Sequence, residues 1–511
     1  MKIYKLLFIL NKIKLRSPLA VFRLIAAIYK YGINLMTLLQ FSAKSYGDRI
    51  AVVDEQETLT YNQLLAESEQ LSLRLVKVYQ LGSGKKVGLA CKNHATFIKT
   101  IYAVAATGAD IYLLNAEMSG AQFDSLLGRQ RFDLLVVDEE QRGLLEQKTH
   151  QGAVLLSSHP TLPAINNSPA VDESRKVKRT RTSDGKLVLL SGGTTGSAKE
   201  AAHKPSLFNY LNPFYDFLTR LKILDYNTAY IATPIYHGYG IAVLLLFCAL
   251  GKKVVVRRGF DAEAACRLIR EHQVEVVTVV PLMLHRMLGH NVSDLKSLRC
   301  IASGGAELSP RLAQETLSKL GQVLYNLYGT SEAGLNLIAT PQDLMYSSRT
   351  IGREIKGIDL KILDEHKHEV EAGKVGQFCI KNSWSMKKDA LTWIETGDLG
   401  YRDEKGYYYL CGRTDSMIVS GGENVYPLEV EQVLLTHPQI EDAAVIGIRD
   451  EQYGQRLKAF VLARPHVDIK PEEVTEWLRP RLARYQQPRE IVLVEELPYT
   501  SVGKLNRKLL H

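Results

Sequence analysis

The run Leu190-Ser191-Gly192-Gly193-Thr194-Thr195-Gly196-Ser197-Ala198-Lys199 follows directly on an apolar strand, Leu187 to Leu190, and this junction constrains the fold more than any other stretch. A buried strand that opens into glycines, hydroxyls and one lysine is suited to cradling phosphates. Glycines let backbone N–H groups turn toward an anion, hydroxyls donate further hydrogen bonds, and the lysine supplies a mobile point charge. The Walker spacing does not fit. Counted from Gly192 or Gly193, its second glycine would fall on Ser197 or Ala198, and Glu200 follows the lysine. A plain flexible Gly/Ser/Thr connection is the competing reading.

The surrounding pattern is that of an α/β chain. Glu57 to Tyr61 alternates like a strand and Asn62 to Lys77 carries helical periodicity. Val87 to Ala90, a helix around Phe97 to Ala106 and Ile111 to Leu114 then give a β-α-β rhythm, continued by strands at Leu134 to Val137, Ala153 to Leu156, Ala229 to Ala232, Lys253 to Val256 and Val276 to Val279. After Arg349 the texture changes to short strands and turns. From about Asp415, Leu428 to Thr436, Ala443 to Ile448, Lys458 to Ala463, a helix from Glu472 to Ala483 and Glu490 to Val494 suggest a compact α+β module. At 511 residues the chain is too long for one ordinary core. The expected fold is α/β: a large N-terminal domain of mixed sheets layered with helices and a β-rich subdomain, and a small α+β C-terminal domain. The expected boundaries are a basic segment 1–47, a large domain 48–414 and a small domain 415–511.

The six cysteines, Cys91, Cys248, Cys266, Cys300, Cys379 and Cys411, form no CxxC pair, which argues against a zinc site and a disulfide framework and for a reducing cytoplasm. Charge is unevenly placed. Met1 to Gly47 contains no acidic residue, while Lys2, Lys5, Lys12, Lys14, Arg16, Arg23, Lys30 and Lys44 are basic. Within Leu19 to Tyr31, Val21, Phe22, Ile25, Ile28 and Tyr29 fall on one helical face, opposite Arg23, Ala26, Ala27 and Lys30. Two readings stand for this helix: docking on the protein's own core with its basic face solvated, or peripheral contact with the inner membrane face through residues 1–47. No stretch is long and apolar enough for a membrane span.

Three later segments are Tyr328-Gly329-Thr330-Ser331-Glu332, then Thr396-Gly397-Asp398 with Gly412-Arg413-Thr414-Asp415, and finally Gly503-Lys504. With the glycine-rich loop, and in this order, they resemble the acyl-adenylate-forming superfamily of acyl-CoA synthetases, peptide-synthetase adenylation domains and firefly luciferase. The resemblance runs from about Asp48 onward. It implies ATP and Mg2+ as cofactors, coenzyme A as co-substrate, and a mobile C-terminal lid hinged at Asp415. The chain ends seven residues after Lys504, so no fused carrier domain is expected, and nucleic acid is not an expected partner.

The resemblance also assigns roles. Ser191, Gly193, Thr194, Thr195, Gly196 and Lys199 hold phosphates, with Ser331 as a further phosphate contact and Glu332 as the magnesium ligand. Gly304, Gly305 and Ala306 lie against adenine, with Tyr328 on the opposite face, and Gly329 belongs to the same nucleotide-binding set. Asp398 takes the ribose hydroxyls, assisted by Arg413. Lys504 is the lid lysine that reaches the reacting carboxylate and α-phosphate, and it forms the catalytic set with Glu332 and His237. Departures from the family loop are Gly192, Ala198 and Glu200, the last adding a negative charge beside the triphosphate.

His237 matches the residue that begins the acyl pocket, with Gly238, Tyr239 and Gly240 as its wall. No carboxylate follows to pair with a substrate ammonium, which disfavours an amino acid. Gly421, Gly422 and Asn424 resemble the coenzyme A passage of fatty acyl-CoA synthetases. The expectation is ATP-dependent ligation of a medium- or long-chain fatty acid to coenzyme A through acyl-AMP. An acyl carrier protein as acceptor, or a degenerate nucleotide-binding scaffold, are the alternatives.

Overall fold

The computed structural model describes residues 17–144, 152–167, 181–191, 199–203, 211–330, 332–385, 392–420, 423–500 and 503–511. They form two compact units, Met1–Val279 with Ser293–Cys300, and Val280–Val292 with Ile301–His511.

The first unit holds two sheets. In one, Ala153–Leu156, Leu134–Val137, Lys86–Ala90, Asp110–Leu113 and Leu187–Ser191 run parallel in that order, and Lys199–His203 closes the edge antiparallel. In the other, Val276–Val279, Thr228–Ile231, Lys253–Val255 and Ile50–Val53 are parallel, with Thr58–Thr60 antiparallel at the edge. Leu134–Val137, Thr228–Ile231 and Val276–Val279 are buried at every position. Parallel strands covered on both faces read as continuous apolar runs for that reason.

Two helix starts show how their caps place them. Tyr61–Tyr79 begins on a capping box in which Thr60 and Gln63 satisfy each other's backbone. Ala95–Thr107 starts two residues before the periodicity predicts, because the His94 imidazole accepts from Phe97 N. The described part of the basic N-terminal segment, from Ser17 on, packs within the first unit. Leu35–Tyr46 buries Met36, Leu39, Phe41, Ala43 and Tyr46, and Ser42 Oγ donates to Cys248 O at 2.8 Å. The preceding helix, Pro18–Tyr31, corrects the first reading of this segment: it buries Ala20, Ala27 and Tyr31, on the side opposite Phe22, Ile25 and Tyr29. The apolar run Leu6 to Leu10 lies outside the described residues.

In the second unit Cys300–Gly304 and Leu324–Thr330 are parallel, and an antiparallel succession follows through Gly334–Ala339, Thr350–Glu354, Tyr408–Arg413, Ile394–Arg402, Gly376–Lys381 and Asp359–Leu363. A further sheet of Glu423–Val425, Ile418–Ser420, Gly454–Ala463, Ile440–Asp450 and Glu490–Val494 packs with helices Pro427–Leu434 and Pro471–Leu478 around Val425, Val430, Leu434, Val445, Leu457 and Val474. The second helix is shorter than its apolar pattern predicts. Pro480 has no N–H to donate to a helical ladder, so the regular run to Ala483 is broken.

All six cysteines are buried and none is cross-linked. No helix among the described residues is long and apolar enough to cross a membrane.

Candidate active site

In the first unit Ser191 and Lys199 are paired across the Leu187–Ser191 and Lys199–His203 hairpin, and Leu190 pairs with Glu200. Gly193, Thr194, Thr195 and Gly196 lie outside the described residues, as do Gly192 and Ala198.

His237 sits half-buried at the N-terminus of the helix Gly238–Ala249, its ring tilted on Tyr236 at 4.6 Å between centroids. Its approach is fixed by Asn93, which the motifs did not single out. Asn93 Oδ1 accepts from Ile235 N at 2.8 Å, and its Nδ2 donates to Thr233 O at 3.0 Å and Ile231 O at 3.2 Å. Gly240 has no room for a side chain, since a Cβ there would stand 2.3 Å from Pro234 O and 2.8 Å from Ile235 Cα. A Cβ on Gly238 would stand 3.2 Å from Leu189 Cδ1, so this helix end lies beside the strand that leads into the glycine-rich loop. Tyr239 is half-buried, and burial pushes its hydroxyl well above the ordinary tyrosine range.

The second unit assembles the later motifs. Tyr328, on Leu324–Thr330, donates its hydroxyl to Asp398 Oδ2 at 2.6 Å, and Arg413 NH1 donates to Asp398 Oδ1 at 2.9 Å. Strand pairing causes this convergence, because Asp398 and Arg413 are register partners across Ile394–Arg402 and Tyr408–Arg413. Arg413 Nε reaches Asp415 Oδ1 at 3.0 Å, so one guanidinium bridges two carboxylates. Each oxygen of Asp398 keeps a second lone pair, which leaves acceptors for a pair of hydroxyls. Burial raises the Asp398 carboxyl above its ordinary value, against the lowering effects of Tyr328 and Arg413. Tyr328 itself is only 8% exposed and packs edge-on against Phe378. Its hydroxyl holds the Asp398 carboxylate in place.

Glu332 is exposed in the turn between Leu324–Thr330 and Gly334–Ala339, and Thr330 Oγ1 secures that turn by accepting from Ala333 N at 3.0 Å. An exposed carboxylate on a fixed turn fits a hard divalent cation that shares its remaining positions with phosphate and water. Ser331 lies outside the described residues. Gly329 is held by close backbone approach, where a Cβ would stand 2.5 Å from Gly334 O.

Lys504 is placed by a tight turn in which Thr500 N donates to Lys504 O at 2.8 Å and Gly503 N to Thr500 O at 2.8 Å. Gly503 adopts φ 71°, a left-handed conformation that favours glycine. A Cβ on Gly503 would stand 2.6 Å from Val280 Cγ2, and one on Gly305 would stand 3.7 Å from Val280 Cγ1. The lysine turn and the Gly304–Gly305–Ala306 loop therefore flank one side chain. Two further bonds hold this arrangement: Gln432 Nε2 to Glu307 Oε1 at 2.9 Å, and Arg311 NH1 to Ile440 O at 2.5 Å. Neither pair carried a motif signal. Asn424 is exposed on Glu423–Val425, while Gly421 and Gly422 lie outside the described residues.

One other cluster could suggest metal chemistry. Ligand atoms of Cys91, His94 and Asp138 lie within 4.8 Å of one another, all buried. They are already used. His94 Nδ1 accepts from Phe97 N, so its Nε2 carries the proton and donates to Asp138 Oδ1 at 2.9 Å. Asp138 also accepts from Arg258 NH2 at 2.9 Å, Ser157 Oγ at 2.5 Å and Lys92 N at 2.8 Å. Burial pushes the Cys91 thiol up. The cluster is a compensated structural node.

Comparison with known proteins gives a consistent picture. The family model described as AMP-binding enzyme matches residues 39–388, and the one described as AMP-binding enzyme C-terminal domain matches residues 429–504. A 2-succinylbenzoate–CoA ligase of Bacillus licheniformis is 30% identical over 479 residues, covering 91% of this chain and 96% of that protein. A fatty acid–[acyl-carrier-protein] ligase, ScoC, of Streptomyces coeruleorubidus is 29% identical, covering 93% and 96%. The o-succinylbenzoate coenzyme A synthetase of Bacillus subtilis, solved with ATP and magnesium ion, superimposes with a TM-score of 0.78 at 25% identity, covering 93% of this chain and 98% of that one.

Proposed function

The chain belongs to the AMP-binding enzymes, acyl-adenylate-forming ligases that work with ATP, magnesium and coenzyme A, and from that premise we propose that it activates a carboxylic acid lacking an α-amino group and passes the acyl group to coenzyme A. The observation that carries this reading is the second unit's arrangement: Asp398 oriented by Tyr328 and Arg413, and the Lys504 turn packed on the same Val280 as the Gly304–Gly305 loop.

Joining a carboxylate to ATP brings two anions together, so the residues must neutralise charge and hold the partners in line. Asp398 accepts from the ribose hydroxyls and fixes the nucleoside. Lys504 supplies positive charge where the carboxylate attacks the α-phosphorus. Ser191, Thr194, Thr195 and Lys199 bind the departing pyrophosphate. Glu332 would hold magnesium, which would supply neutralisation of phosphate charge there. In the second step the thiol of coenzyme A displaces AMP from the acyl carbonyl, approaching past Gly421, Gly422 and Asn424 with the 415–511 lid turned about Asp415.

The turn at Pro234–Gly240 carries no carboxylate to pair with an ammonium, which supports an acid without one. The relatives act, by name, on 2-succinylbenzoate and on fatty acids, and these are the two acids to compare. The carrier-protein ligase, matched along almost its whole length, supports a second reading in which holo acyl carrier protein replaces coenzyme A. Thioester formation measured with both acids against both acceptors tests the proposal. A thioester of coenzyme A is the expected product; product only with carrier protein selects the second reading, and activity only with amino acids removes the substrate assignment.

A further inference from the structure

The helix Pro18–Tyr31 is anchored on one side and bare on the other. Ala20, Ala27 and Tyr31 are buried, Lys30 Nζ stands 2.7 Å from Glu69 Oε1, and the Tyr31 hydroxyl donates to the same carboxylate. Thr182 N donates to Tyr31 O at 3.2 Å, and Ile33 N to Ser183 Oγ at 2.8 Å. These bonds fix the rotation of the helix about its axis. As a consequence Leu19, Phe22, Ile25 and Tyr29 stand 56, 67, 59 and 78% exposed, and Ile33, just past the last turn, 59%.

Spacings of three, three and four residues put the first four on one stripe of the helix. Single exposed apolar residues are ordinary, but a contiguous apolar stripe on an anchored helix marks an interaction surface. Charge decides what covers it. The sequence from Met1 to Gly47 has only basic charges, so a second copy meeting this face would bring like charge to like charge. An anionic surface would be attracted. Fourteen residues make a helix about 21 Å long, short of the ~30 Å hydrocarbon core, so it would lie in the headgroup region rather than cross.

We propose that the Leu19–Phe22–Ile25–Tyr29 stripe seats this protein on an anionic phospholipid surface. Apolar burial and attraction to anionic lipid add in such a helix, and the attraction is screened by salt.

The test is co-sedimentation of the full-length protein with vesicles of phosphatidylcholine alone and of phosphatidylcholine mixed with phosphatidylglycerol. The protein is expected to partition onto the mixed vesicles and to be released by high salt. A Phe22→Glu/Ile25→Glu variant is expected to lose on the order of tenfold or more of that partitioning, with its thermal unfolding midpoint unchanged, because both side chains are more than half exposed. Absence of partitioning by the unaltered protein, or equal partitioning by the variant, would overturn the proposal. So would a dimer in solution that the same substitutions disperse without any vesicle binding, which would assign the stripe to a second copy.

Discussion

Replacing Tyr328 by phenylalanine removes one oxygen and leaves the ring packing against Phe378 in place. The lost bond is the 2.6 Å donation to Asp398 Oδ2. Hydrogen bonds to charged groups contribute about 1.5–3 kcal/mol. The lower end applies here, because Arg413 still donates to the other oxygen at 2.9 Å and keeps the carboxylate compensated. At about 1.4 kcal/mol per tenfold, the KM for ATP should rise about tenfold, with kcat much less affected.

The pH dependence makes the test specific. Burial raises the Asp398 carboxyl, and the bond from Tyr328 opposes that rise by favouring the ionised form. Losing the bond lifts the carboxyl further. Ribose hydroxyls need the ionised carboxylate, so the acid limb of kcat/KM for ATP should move to higher pH. Stability follows the same sign. A carboxyl raised on folding contributes stability below its unfolded pKa and loses it as pH rises through the folded one, so Tyr328→Phe should cost more thermal stability near neutrality than in acid. Initial rates over a pH series at varied ATP are the assay. An unmoved acid limb together with an unchanged KM would refute the assigned coupling of Tyr328 to Asp398.

Lys504→Ala should slow acyl-AMP formation by about two to three orders of magnitude while sparing thioester synthesis from pre-made acyl-AMP; separate half-reaction assays check this, and equal losses would contradict the role. Glu332→Gln should raise the magnesium requirement about tenfold without lowering the unfolding midpoint, as read from a magnesium titration. Asp415→Pro fixes φ and removes a backbone donor, so acyl-AMP formation should persist while most thioester synthesis is lost; a variant with both half-reactions intact would move the hinge elsewhere. Gly240→Ala would place a Cβ 2.3 Å from Pro234 O and should cost about 1–3 kcal/mol of stability, measured by denaturant unfolding.

The buried parallel strands were legible because burial on both faces leaves short apolar runs, and Leu134–Val137 and Val276–Val279 are found where the sequence places them. Ends were less legible where an uncommon cap or breaker decides them, as His94 starts Ala95–Thr107 and Pro480 cuts short Pro471–Leu478. The N-terminal helix was recognised but its docked face was reversed. Amphipathicity locates an apolar stripe, whereas Tyr31, Lys30 and Glu69 set which side meets the body. Motif order pointed to Asp398, Arg413 and Lys504, but local pattern does not carry long-range partnership. Tyr328 as the orienting donor of Asp398, Asn93 behind the His237 turn and Gln432 on Glu307 needed the fold.

Adenylation is measured directly as pyrophosphate release from ATP and magnesium in the presence of 2-succinylbenzoate or a fatty acid, with coenzyme A omitted, together with recovery of the acyl-AMP. Carboxylate-dependent pyrophosphate and a matching amount of acyl-AMP are expected, both slowed by about two to three orders of magnitude in Lys504→Ala. A protein that binds ATP but releases no pyrophosphate with any carboxylic acid would be a nucleotide-binding scaffold and not a ligase.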